Sequence, residues 1–112
     1  MDSILNTVKK VIGGVDADYT QFDEDIIVNI NSSLMTLRQL GVKIPDGFLV
    51  TGSSETWDDL EDVYPDVESL QLYMSLKTKL AFDPPSHSFV LEALKEQIKE
   101  LEWRINVEVD TM

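Results

Sequence analysis

The sequence predicts an all-α fold: a small antiparallel helical bundle of about four helices with a long central loop. Three observations carry this expectation. Apolar residues recur at helical spacing, not at the alternation of a half-buried strand, in four separate stretches. Each stretch is bounded by capping residues, glycine or proline. The last two are separated by little more than Asp83-Pro84-Pro85, a connection short enough to make them antiparallel neighbours.

The first helix is expected over residues 3–12. Ser3 can cap it, Ile4, Leu5, Val8, Val11 and Ile12 form a stripe, and Gly13-Gly14 ends it. A polar loop with Asp16 and Asp18 follows. The second helix is expected over 23–40. Asp23, Glu24 and Asp25 place negative charge at the positive end of its dipole, and Gly41 stands where a left-handed C-terminal residue is wanted. Ile26, Ile27, Ile30, Leu34 and Leu37 gather on the core face, while Val28 and Met35 lie seven residues apart on the other side.

Residues 42–55 break the pattern with Pro45, Gly47 and Gly52 around the apolar patch Phe48-Leu49-Val50-Thr51. They form either a long loop or a small extended excursion. Ordering a loop of this length costs about 1–2 kcal/mol per residue, so it is expected to be mobile until a partner covers it. Pro45, Phe48, Leu49 and Val50 are its candidate partner-binding residues. Thr56 can then cap a short helical turn over 57–63.

The third long helix, 66–82, is apolar on nearly every side, with Leu72, Leu76 and Leu80 in one row and Val67, Leu70, Met74 and Ala81 in another. A helix of that kind belongs in the centre of the bundle. The last helix, 86–106, carries a core stripe of Val90, Leu94, Ile98, Leu101 and Ile105. Glu96 with Lys99 and Glu100 with Arg104 sit at favourable helical spacings. Phe89, Trp103 and Val107 project from its opposite side, and aromatic residues are enriched at interfaces. Val28, Met35, Phe89, Trp103 and Val107 are therefore the candidate subunit-interface residues.

Composition narrows the function. The 112 residues have room for one domain, 1–112, and a 43% hydrophobic fraction is ordinary for a globular chain. No stretch approaches the roughly 20 apolar residues of a membrane span, and no basic, apolar leader opens the sequence, so a soluble protein without a membrane partner is expected. Acidic residues number 21 against 9 basic, a net charge of −12, which repels a phosphate backbone. Between Lys43 and Lys77 there is no basic residue, while Asp46, Glu55, Asp58, Asp59, Glu61, Asp62, Asp66 and Glu68 all fall there. That run is a solvated surface, a docking face for a basic partner, or a wall past which DNA slides.

Catalysis finds no support. There is no cysteine, so no thiolate metal site can be assembled, and the sole histidine, His87, between two serines after a Pro-Pro stop, reads as a helix-start surface residue and not as a general base. No glycine-rich phosphate loop, calcium-loop spacing or nucleophile elbow is present. No enzyme activity, no cofactor, no metal and no sequence-specific nucleic acid contact is expected. Surplus apolar surface on helix backs and a strong charge bias describe an interaction module.

The order of motifs carries a resemblance. Phe22-Asp23 with Asp25-Ile26-Ile27, Ile30-Asn31-Ser32, Leu37 with Leu40-Gly41-Val42, Gly47-Phe48, Thr56-Trp57, Phe82-Asp83-Pro84-Pro85, Ser88 to Ala93 and Lys95 to Asn106 follow one another over almost the whole chain. Together they resemble the head–tail connector proteins of tailed bacteriophages and prophages. The resemblance implies a small helical adaptor that assembles into a homo-oligomeric ring beneath the portal protein, extends the DNA channel and receives the next neck or tail-completion protein. It implies a location in the virion neck, and in the host bacterial cytoplasm during assembly. A ring needs two different patches per subunit, and the two helix backs supply them. The competing readings are an acidic protein that mimics DNA and a helical adaptor for a basic protein partner.

Overall fold

A computed structural model describes residues 3–13 and 18–111. Gly14 and Asp16, assigned above to the first helix stop and the loop after it, lie outside the described residues. Five helices follow in order: α1 (Ile4–Ile12), α2 (Asp23–Gln39), α3 (Asp58–Glu61), α4 (Val67–Phe82) and α5 (Ser88–Thr111). There are no strands among the described residues, only an isolated antiparallel bridge between Ser3 and Thr56. The all-α expectation holds, with α3 a single turn.

Local chemistry sets most of the boundaries. The Ser3 hydroxyl accepts from the Asn6 N–H, and Asp66 accepts from the Ser69 N–H, capping α1 and α4. α2 ends in a paired closure: Val42 N–H donates to the Leu37 carbonyl and Gly41 N–H to that of Arg38. Gly41 has φ +105°, and Val42 and Leu37 are both buried, so the apolar contact that accompanies this closure is present. At α3 the expected cap is inverted. The N-cap residue is Trp57, which makes no side-chain capping bond, and the Asp59 carboxylate accepts from the Thr56 N–H.

α4 packs against α1, α2 and α5, as its apolar sequence predicts. Tyr73 and Lys77 of α4 reach Glu102, and Tyr64, just before α4, reaches Glu108, so α5 returns antiparallel. The core joins Ile4, Leu5 and Val8 of α1, Ile26, Ile30, Leu34 and Leu37 of α2, and Leu70, Tyr73 and Met74 of α4. Trp57 is fully buried and its indole nitrogen donates to the Thr7 hydroxyl at 3.0 Å, fixing the end of the central loop to α1.

Three expectations are corrected. Leu72 is half exposed, because α4 has three neighbours and its fourth side meets none of the helices. Val11 and Val90, read as core stripe, are also exposed. α5 runs five residues past 106, because Val109 packs on the core and Glu108 bonds Tyr64, tertiary partners that a helical stripe does not reveal. Lys9 is fully buried; its ammonium meets Asp23 at 2.6 Å and donates to the Tyr19 carbonyl at 2.7 Å.

Candidate functional site

The central loop is stitched to α2. The Asn31 amide both donates to and accepts from the Val50 backbone, and Arg38 donates to the carbonyls of Pro45 and Phe48. Val50 is only 1% exposed. Its apolar side chain is in the core and both its backbone groups are occupied, so it belongs to the fold and not to the loop's outer surface. Phe48 is half-buried against the core, whereas Pro45 and Leu49 are exposed. The loop thus has anchors of its own on α2.

The acidic run is partly spent on local structure. Asp59 and Asp66 act as caps, and Glu55 accepts from the Thr51 N–H, the Thr51 hydroxyl and the Gly52 N–H. Desolvation raises the Glu55 carboxyl pKa, but these hydrogen bonds to its charged form together outweigh it and hold the group below its ordinary value. A continuous array of free carboxylates is not what this segment presents. Tyr64 and Tyr73 are both raised well above the ordinary phenol range, first by burial and then by the carboxylates of Glu108 and Glu102 that accept from them.

Besides Val11, Tyr19, Phe22 and the loop residue Leu49, the exposed apolar side chains of the described residues fall on three outward surfaces. On α2, Val28 and Met35 are 63% and 58% exposed, one heptad apart and opposite the Ile26–Ile30–Leu34–Leu37 face. On α5, Phe89, Trp103 and Val107 face away from Leu94, Ile98 and Ile105, with Trp103 66% exposed. Phe89 is fourteen residues from Trp103, roughly 21 Å along the helix, so it forms a separate contact point, while Val107 adjoins Trp103.

The third surface was missed in the sequence. It is the seam between α4 and α5, where Leu72, Leu76, Gln97, Glu100, Leu101 and Arg104 surround a hollow. A second hollow adjoins it, bounded by Leu76, Lys79, Pro85 and the start of α5. Reading Leu72 and Leu76 as interior hid it, and only the number of helices packed on α4 could have revealed it.

Among the described residues no three acidic or histidine side chains cluster to hold a metal ion, and no helix is long and apolar enough to cross a membrane. A small helical bundle with apolar side chains turned outward on separate sides, and hollows open to solvent between helices, has the layout of an assembly module. The chain belongs to the phage connector protein family, whose profile matches residues 4–112. Searches of curated proteins and of solved structures return no match.

Proposed function

We propose that this chain is a structural, non-catalytic subunit of a head–tail connector ring in the virion neck. It docks under the portal protein, extends the DNA channel, and gives the tail or stopper protein a place to attach. One observation carries this reading beyond family membership: apolar side chains point outward from three sides of one small subunit. A neck ring subunit has several contacts of this kind to make, with a copy on either side and with the proteins above and below. Val28 and Met35 serve the neighbouring copy, while the α5 back, expected from the sequence as the second ring patch, is assigned instead to the portal or the completion protein through Trp103 with Val107, together with Phe89. The exposed loop residues Pro45 and Leu49, with the half-buried Phe48 behind them, lie beside α2 and extend its contact surface.

The net charge of −12 suits a channel wall, because it gives passing DNA nothing to bind. It also fits assembly in the host bacterial cytoplasm without capture by nucleic acid. Gradient sedimentation of the full chain with its purified portal tests the reading. Co-migration is expected, and Trp103→Ala should weaken it by about 2 kcal/mol or more, as removal of a buried aromatic anchor does. A chain that neither self-associates nor migrates with the portal contradicts the proposal.

A further inference from the structure

The α4–α5 seam contains a repeat whose floor, Leu94 and Leu101, packs on the core and whose rim is open to solvent. Val90, Ala93, Leu94 and Gln97 line one hollow with Leu76 and Lys79. Gln97, Glu100, Leu101 and Arg104 line the next with Leu72 and Leu76. The second foursome is the first displaced by seven residues, position for position. Each is an i, i+3, i+4, i+7 set, the arrangement by which one helix forms a hole for a side chain of another. Seven residues span about 10 Å of helix, so two holes stand in line at that interval.

The matching side chains are on the far side of the molecule. Val28 and Met35 are also seven residues apart, both exposed, on the side of α2 that faces away from the core. On α4, Glu68, Gln71 and Ser75 border α1, Leu76 borders α5, and Leu72 stands between the two. The remaining arc, with the buried Leu70 and Met74, is left for α2, the third helix packed on α4. The seam and the α2 back therefore face in opposite directions, and cannot meet within one chain.

Charge selects one orientation. Beyond Val28 the α2 back ends in Glu24 and Asp25; beyond Met35 it ends in Arg38 and the exposed Lys43. The seam has the opposite order: Lys79 lines the hollow bordered by Val90, the exposed Asp66 and Glu68 lie past Leu72, and the Arg104 that lines the Leu72 hollow is already paired with Glu100 at 2.8 Å. Docked parallel to α5, α2 brings its acidic end to Lys79 and its basic end to Asp66 and Glu68. The reverse direction sets acid against acid.

We infer that the α2 back of one copy docks in the α4–α5 seam of the next, with Met35 in the hollow beside Leu72 and Val28 in the hollow beside Lys79. The inference rests on the ring reading above and adds the mated pair of surfaces. Two different faces in contact make the interface heterologous, which is what a ring of identical subunits requires. Trp103 lies on a third side and takes no part.

The chain has no cysteine, so a disulfide can only join engineered positions. Full-length protein carrying Met35→Cys and Leu72→Cys is oxidised under conditions where the wild type associates by sedimentation. A ladder of covalent multimers is expected, several-fold stronger than from Met35→Cys with Trp103→Cys. No ladder from the first pair, with the wild type assembled, overturns this contact and leaves the ring reading standing. A ladder from the Trp103 pair in its place overturns it equally. A wild type that stays monomeric at every concentration, with portal protein present as well as without it, overturns both. Val28→Glu with Met35→Glu, checked by circular dichroism for an intact fold, should raise the midpoint concentration of association at least about tenfold. An unchanged midpoint also overturns the contact.

Discussion

Asn31 holds Val50 by both of that residue's backbone groups: its amide nitrogen donates to the Val50 carbonyl at 3.0 Å, and its amide oxygen accepts from the Val50 N–H at 2.8 Å. Asn31→Ala leaves both groups part-buried and without that partner, at a cost of about 1–3 kcal/mol. Hydrogen exchange in residues 46–52 should then quicken, while the α4 amides keep their order of protection. Unchanged exchange at Val50 in the variant would show that the Asn31 clamp does not order the loop.

Gly41 is constrained twice. Its φ is +105°, and a Cβ there would stand 2.8 Å from Val109 Cγ1. Gly41→Ala should cost about 1–2 kcal/mol from the backbone alone, with an added penalty from the collision. Combining it with Val109→Ala should recover the collision part only. Urea midpoints of the single and double variants measure the coupling. Strict additivity would mean that α5 does not approach the α2 terminus as described.

The two tryptophans should behave oppositely. Trp57 is fully buried, so Trp57→Ala should cost about 3–5 kcal/mol. Trp103 is 66% exposed, so Trp103→Ala in the free subunit should change stability by no more than about 0.5 kcal/mol. Chemical denaturation of the dissociated protein compares them directly. A large loss from Trp103→Ala would place that residue in the core and invalidate the α5 register.

Alkali should loosen α5 before it unfolds the remaining bundle. Tyr64 and Tyr73 keep their protons in the folded state above the ordinary value of 10.0, because burial and their Glu108 and Glu102 partners disfavour the phenolate. The unfolded chain releases those protons near that value, so their stabilisation is complete below it and is lost as pH rises toward the folded-state values. Tyr64→Phe with Tyr73→Phe should flatten the alkaline limb of the stability curve. An unaltered limb would assign the pH response elsewhere.

The fold was largely legible because capping and stop signals act locally. Ser3, Asp66, Gly41 and Pro84-Pro85 each mark a boundary through a few neighbouring atoms, and periodicity placed the core faces of α2 and the middle of α5. What stayed hidden depends on counting neighbours. Whether Leu72 is interior turns on how many helices surround α4, and Lys9 and Val50 are buried by partners ten or more residues away. Of the candidate surfaces, the helix backs were readable as apolar residues out of phase with a core stripe. The seam was not, since its walls come from two helices whose pairing only the tertiary structure provides.

The central claim is that copies of this chain join through unlike faces and close on themselves. Native mass spectrometry of the full-length protein, over a wide concentration range, with portal protein added in a parallel series, tests it most directly. One discrete assembly, an integer multiple of 12.7 kDa, is expected to replace the monomer without open-ended growth. A chain that remains monomeric in both series, or that builds a continuous distribution of ever longer chains, contradicts it.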